Sequence, residues 1–275
     1  MKRQFAVFGH PIGHSLSPHI HRLFAEQCGD ALDYQRQDVG VADFADAVLS
    51  FFAAAGSGLN ITVPHKEAAY RLAVVRSARA ECARSVNTLW QDAQGRLHGD
   101  TTDGAGLCAD LQRLGFLTAS ARVLLLGAGG AARAVVEPLL AAGIARLDLC
   151  NRTPQRAYDL VQDMRHLGAL RALPVEEIDS AYDLVINATA ASLHGEVMAL
   201  PPVALAPTTA CYDMVYSAQT TPFLAACQAQ GVQRCSDGLG MLVEQAAEAY
   251  ALWWGRRPQT AAVLSAVRAD LRAAL

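Results

Sequence analysis

The chain has 275 residues, of which 52% are hydrophobic and 18% charged, with a formal net charge of −3. That length accommodates two domains of ordinary size, and the composition is that of a folded chain and not a disordered one. The slight negative charge argues against a general nucleic-acid binder, which needs a concentrated basic surface to displace counterions, so a small-molecule partner fits better.

Strand and helix patterns alternate from end to end, which is the α/β signature. Phe5-Ala6-Val7-Phe8 reads as a first strand, followed by a loop through His14 and a helix with Ser17 as N-cap and Pro18 as first helical residue. Ile20, Leu23, Phe24 and Cys28 give that helix one apolar face, and Gly29 closes it. Residues 41–55 repeat the pattern with Val41, Phe44, Val48, Leu49 and Phe52. In the next strand Leu59, Ile61 and Val63 point to one side and Asn60 and Thr62 to the other; Pro64 ends it and Lys66 opens a helix. Residues 85–92 and 96–100 read as strands joined at Ala93-Gln94-Gly95, and a helix runs from Asp103-Gly104 to Leu114 and Gly115. From Ala121 the character changes. Arg122–Leu126 is a nearly continuous apolar strand of the kind buried in a parallel sheet, with similar strands at 146–150, 183–189 and 210–216. The closing helices, about 238–254 and 259–274, carry Trp253 and Trp254 and could pack on either domain.

Seven cysteines, an odd number without a Cys-x-x-Cys pair, suggest neither a disulfide framework nor a zinc knuckle and point to a reducing compartment. Met1-Lys2-Arg3-Gln4 leads into a strand without a signal-peptide core, and Pro201, Pro202 and Pro207 break the uncharged stretch from Val197 to Tyr212. A soluble cytoplasmic protein is expected.

Val123-Leu-Leu-Leu-Gly127-Ala128-Gly129-Gly130-Ala131-Ala132 is a strand, a Gly-x-Gly-x-x-Ala turn and a helix start. Gly127 permits the tight turn, Gly129 lets backbone approach a pyrophosphate, and Ala132 allows close helix packing, so the segment is expected to bind a dinucleotide at a helix N-terminus. At the end of the following strand NAD sites usually place a carboxylate. This chain has Asn151-Arg152-Thr153 and then Arg156, a set suited to a 2′-phosphate, while Asp148 lies inside the strand. NADP is therefore expected in preference to NAD.

Only two lysines occur, Lys2 and Lys66, against 21 arginines. A guanidinium does not release its proton near neutrality whereas a lysine amine can, so Lys66 is a candidate acid/base group. Asp103 is a possible carboxylate partner for it. The other polar segments, Gly9 to Pro18, Asn60 to Lys66, Val86-Asn87-Thr88 and Gly99 to Gly104, are rich in hydroxyls and amides. Such an inventory suits a small, hydroxyl-rich substrate whose oxygens need partners on leaving water.

With VFGHPIGHSLSP, NITVPHKE, SVNTL, GDTTDG, LLGAGGAAR, NRTPQRA, INAT, YDMVY and DGLGMLVEQAA in order, the chain resembles the shikimate dehydrogenase family nearly end to end. The resemblance implies reversible NADPH-dependent reduction of 3-dehydroshikimate to shikimate, a step of chorismate and aromatic amino acid biosynthesis. It implies an α/β fold of two domains with the active site between them. A substrate domain would comprise 1–103 and 238–275, and a Rossmann-type, doubly wound NADP domain 104–237. It assigns Lys66 and Asp103 to the catalytic pair, Ser15 and Ser17 with Tyr216 to the substrate carboxylate, and Thr62, Asn87, Asp103 and Gln245 to the ring hydroxyls. For the cofactor it adds Met214 and Gly238 to the loop 127–131 and to Asn151, Arg152, Thr153 and Arg156. A monomer or homodimer is expected, with no nucleic-acid or membrane partner.

Two departures stand out. The family often has Asn where this chain has Thr101, and the segment after INAT is here Ala190-Ala191-Ser192; His10 and His65 also sit at positions that vary among relatives. His10, His14, His19 and His21 invite a metal reading, but on a helix His19 and His21 project about 200° apart. No HExxH follows, so these are expected to be surface or cleft histidines and no metal is expected. Asp110 and Glu176-Glu177 read as solvated surface charges. The alternatives are a quinate/shikimate dehydrogenase or related paralogue, distinguished by pocket shape, and a non-catalytic NADP-sensing regulator, which the lysine and aspartate count against.

Overall fold

The computed structural model describes residues 2–189 and 196–273. The chain divides into two compact units, one formed by residues through Gly106 with Val243–Val267, the other by Leu107–Leu242 with the residues from Arg268 on. The divisions thus fall after Gly106 and Leu242, not after 103 and 237, and the end of the chain goes with the second unit instead of the first.

The first unit holds a six-stranded sheet of β1 (Arg3–Gly9), β2 (Leu32–Asp38), β3 (Gly56–Ile61), β4 (Val75–Arg76), β5 (Thr88–Gln91) and β6 (Leu97–Asp100), in the order β2-β1-β3-β5-β6-β4. β1 pairs parallel with β2 and β3, while β5 is antiparallel to both β3 and β6. Its helices are α1 (Ser17–Cys28), α2 (Phe44–Ala53), α3 (Lys66–Leu72) and α4 (Ala78–Ala83). Phe8, Val48, Leu59, Ile61, Val86 and Leu89 build one core cluster. Phe5, Val7, Tyr34 and Trp253 build another, which places the indole of the late helix on this sheet. Gly58 is glycine for that reason, since a Cβ there would lie 2.5 Å from the Trp253 ring.

Several local expectations give way to packing. Ser17 is the first residue of α1 and not its cap; Leu16 is the N-cap and makes no side-chain bond. β3 ends at Ile61, so Val63 does not continue the apolar side and is 71% exposed, and Val41 and Leu49 are likewise exposed. His21 is fully buried in an aromatic cage, stacked on Tyr34 at 4.5 Å and beside Trp253 at 5.4 Å. It is therefore no surface histidine. Burial drives its pKa from 6.5 down to about 3, the nearby Asn60 amide offsetting this only in part.

The second unit carries a parallel sheet of β7 (Arg122–Leu126), β8 (Arg146–Cys150), β9 (Leu170–Ala172), β10 (Leu184–Asn187), β11 (Ala210–Asp213) and β12 (Arg234–Asp237), in the order β12-β11-β10-β7-β8-β9. Counted from β7 this is 3-2-1-4-5-6, the doubly wound Rossmann order, whose ligand crevice opens at the carboxyl ends of the strands where the winding reverses. Here the reversal lies between β7 and β10. Helices α5 (Asp103–Arg113), α6 (Gly130–Ala141), α7 (Pro154–Met164) and α8 (Pro222–Ala229) accompany these strands; α5 starts within the first unit. Asp110 on α5 is not a surface charge. It is wholly buried, accepting hydrogen bonds from Tyr212 Oη at 2.8 Å and Arg113 Nη2 at 2.6 Å.

The last helices are α9 (Leu239–Trp254) and α10 (Ala261–Ala273), and the division between units falls inside each. Among the described residues no helix is long and apolar enough to cross a membrane.

Candidate functional site

In the first unit the polar side chains form one connected set. Lys66 begins α3, where Val86 N–H donates to its carbonyl at 3.0 Å, and its Nζ donates to Asp103 Oδ2 at 2.6 Å. The lysine side chain is 30% exposed and the aspartate 10%, so the pair is sheltered but open on the amine side. Asn87 Nδ2 donates to Asp103 Oδ1 at 2.9 Å, which commits both carboxylate oxygens. Thr102 N–H and the Thr88 hydroxyl donate to Asn87 Oδ1 at 3.0 and 2.8 Å, locking that amide's orientation. Gln245 Oε1 accepts from Thr102 Oγ1 at 3.2 Å, so the structure brings Lys66, Asp103, Asn87 and Gln245 together.

The network continues through residues to which the sequence assigned no contact. Asn60 Nδ2 donates to the Asn87 carbonyl and to Thr88 Oγ1, each at 3.2 Å, and Asn60 Oδ1 accepts from Tyr34 Oη at 2.7 Å. Burial holds the Tyr34 hydroxyl well above its usual pKa, and the Ser17 hydroxyl interacts with it and partly offsets the rise. Ser17 N–H in turn donates to Ser15 Oγ at 3.3 Å. Serines and ion pair are thus linked through Tyr34, Asn60 and Asn87. Thr62 is half-buried beside Gly9, where a Cβ would come 2.5 Å from the Thr62 methyl. Thr101, one of the departures, is 2% exposed, and its hydroxyl has no hydrogen-bond partner among the described residues. The other, Ala190-Ala191-Ser192, lies outside the described residues.

In the second unit the candidate site is made chiefly of backbone. Gly127 has φ +112, and a Cβ there would crowd Thr189 and Ala188 at the end of β10. Gly129 caps α6 in an extended conformation, and among the described residues nothing lies within 4 Å of where a Cβ on Gly129 or Gly130 would stand. A pyrophosphate can therefore approach the helix N-terminus, while Ala132 is wholly buried as close packing requires. Ala128 is half-buried and Ala131 exposed on this turn.

Beside it is a cavity of about 590 Å³ lined by Asn151, Arg152, Val175, Thr189, Glu196 and Met198 among others. Asn151 Nδ2 holds the Thr153 carbonyl at 2.9 Å; Thr153 is the N-cap of α7, and Arg156 is exposed in its first turn. Arg152 is 85% exposed and pairs with Glu196 at 3.2 Å, a contact that solvent makes weak and a phosphate can replace. Asp148 is withdrawn from such a role, fully buried and bound by Arg146, Arg171 and Tyr182. These residues fit a dinucleotide with a 2′-phosphate. Met214 N–H donates to the Asn187 carbonyl at 2.9 Å, and a Cβ on Gly238 would overlap the Met214 carbonyl, so these two backbones touch. Tyr216 also belongs to the second unit, and burial raises its pKa.

Comparison with known proteins agrees with both halves. A curated shikimate dehydrogenase (NADP(+)) of Cellvibrio japonicus is 49% identical, covering 97% of this chain and 97% of its own length. The chain belongs to the shikimate dehydrogenase family. The family's substrate binding domain matches residues 7–89, the shikimate/quinate 5-dehydrogenase model residues 111–195, and the shikimate 5′-dehydrogenase C-terminal domain residues 238–268. Among solved structures, shikimate 5-dehydrogenase of Thermus thermophilus in complex with NADP(H) and shikimate is 35% identical, with TM-score 0.88 over 98% of this chain and 100% of that one. An Ael1 enzyme of Pseudomonas putida is 41% identical, with TM-score 0.91 over 96% of this chain and 98% of that one.

The family's motif positions and the geometry meet at Lys66, Asp103, Asn87 and Gln245. Sequence reasoning missed Tyr34, Asn60 and Thr102 as parts of the same network. A signal existed for Asn60, whose strand face was read as polar, but none for Tyr34, since a lone tyrosine in a polar strand has many uses.

Proposed function

We propose that the protein catalyses the reversible NADPH-dependent reduction of 3-dehydroshikimate to shikimate, with Lys66 and Asp103 as the catalytic pair. The observation that carries this reading is the 2.6 Å Lys66–Asp103 contact, with the other carboxylate oxygen held by Asn87. NADPH supplies the hydride when bound. As the ketone is reduced its oxygen becomes alkoxide-like; the Lys66 ammonium stabilises that charge and transfers a proton from Nζ to it. In the oxidation direction the neutral amine accepts the hydroxyl proton. Asp103 takes one of the ammonium's three hydrogens and so aims the remaining two.

In this reading Ser15 and Ser17, with Tyr216, bind the substrate carboxylate, and Thr62, Asn87, Asp103 and Gln245 hold the ring hydroxyls. The turn 127–131 carries the pyrophosphate, Arg152 and Arg156 with Asn151 and Thr153 the 2′-phosphate, and the Met214 and Gly238 backbones the nicotinamide end. The first unit is then the substrate domain and the second the NADP domain. The enzyme acts in the cytoplasm, consistent with an odd number of cysteines and no Cys-x-x-Cys pair, as a monomer or homodimer. Initial rates with shikimate and quinate, each paired with NADP and NAD, test the assignment. Shikimate with NADP is expected to be fastest, and a preference for quinate with NAD overturns the substrate while leaving a dehydrogenase.

A further inference from the structure

The loop that carries Ser15 and Ser17 is held by one face of the edge strand β2. Residues 34, 36 and 38 alternate onto the same side of a strand. They meet the loop in reverse order. Tyr34 interacts with Ser17, Arg36 Nε donates to the Ser15 carbonyl at 2.8 Å, and Asp38 Oδ1 lies 2.5 Å from His10 Nδ1. Of the three, Arg36 is the one with donors to spare. Its Nε is committed, but both Nη groups make no hydrogen bond or ion pair among the described residues, and the side chain is exposed. Asp38, the adjacent carboxylate on this face, is taken up by His10.

The serine hydroxyls are neutral donors. A carboxylate leaving water is held far more firmly when a cation shares it, and a guanidinium with its Nε anchored presents its two Nη donors with little further loss of freedom. We infer that Arg36 is a binding residue for the substrate carboxylate, its Nη groups pairing with the anion that Ser15 and Ser17 hydrogen-bond. This rests on the placement of the carboxylate at the serines proposed above. Under it the enzyme selects for an anionic ring acid, and an ester, whose oxygens still accept from the serines, loses the contribution of Arg36.

The test compares KM for shikimate with the inhibition constant of its methyl ester, in wild type, Arg36→Gln and Ser17→Ala. Arg36→Gln is expected to raise KM for shikimate about tenfold, the lower end for a charge-assisted hydrogen bond, and to weaken the ester less than about twofold. The rise of the wild-type KM with ionic strength is expected to flatten in the same variant. Equal weakening of acid and ester would mean that Arg36 only tethers the loop, and no change in either would mean that it does nothing; both overturn the proposal. Ser17→Ala reports separately on the underlying reading: it is expected to weaken acid and ester alike, and no change in either there places the carboxylate elsewhere.

Discussion

The two units present their candidate sites by different means. In the first, the working atoms are side chains that fix one another: Asn87 alone bonds Thr102, Thr88 and Asp103, and the chain of contacts runs on through Asn60 to Tyr34. In the second, the working atoms are backbone amides made accessible by glycines, with a mostly exposed Arg152 at the far end. A site for proton transfer needs an acid held within a fraction of an ångström, which mutual hydrogen bonding supplies. A site for a long phosphate-bearing cofactor needs room and a positive helix end. Substitutions at the Lys66–Asp103 pair should therefore act on kcat, and those at the glycine turn and Arg152 on cofactor affinity.

The largest expected effect is on the ion pair. Lys66→Ala should lower kcat about 10²- to 10⁴-fold, with the dissociation constant of NADPH changed little; stopped-flow rates with titration of cofactor fluorescence read both. Next is His21, behind the network. Unfolded, it protonates near pH 6.5, whereas in the native state it resists to about pH 3, so its contribution to stability is complete above pH 6.5 and is lost as pH falls towards 3. The slope is at most about 1.4 kcal/mol per pH unit. Urea melts at several acidic pH values should show a shallower decline for His21→Phe; an equal slope would disprove the buried neutral imidazole.

In the second unit, Gly129→Ala should weaken NADPH about tenfold without lowering the melting temperature of the free protein, because no described residue lies within 4 Å of the added methyl. Arg152→Gln should reduce the preference for NADP over NAD by about the same factor, seen as a ratio of kcat/KM values. The smallest effect is at Thr101, whose hydroxyl has no partner to lose among the described residues; Thr101→Val should shift stability by less than about 1 kcal/mol in denaturant melts.

The same contrast governs what the sequence makes legible. The glycine turn and the buried apolar strand before it are local signals, and the structure has that strand at 122–126. Lys66 stood out because arginine replaces lysine nearly everywhere else. What escaped depends on partners distant in the chain. Asp110 reads as a surface charge until Tyr212, 102 residues away, is brought to it. Tyr34 and Arg36 sit in Leu-Asp-Tyr-Gln-Arg-Gln-Asp, which shows no apolar alternation, and their use is set by the loop they meet. Val63 continued the alternation of β3 on paper, but the strand stops at Ile61 and leaves it in solvent. The division inside α9 is invisible for the opposite reason, since its helical pattern runs unbroken from Leu239 to Trp254.

The central claim is that position 66 must exchange a proton and not merely carry a charge. Lys66→Arg separates the two, because a guanidinium keeps the positive charge beside Asp103 but does not release its proton near neutrality. Measured as kcat for shikimate oxidation at saturating NADP, the account predicts that Lys66→Arg stays close to the low rate of Lys66→Ala. Recovery to near the wild-type rate would contradict it.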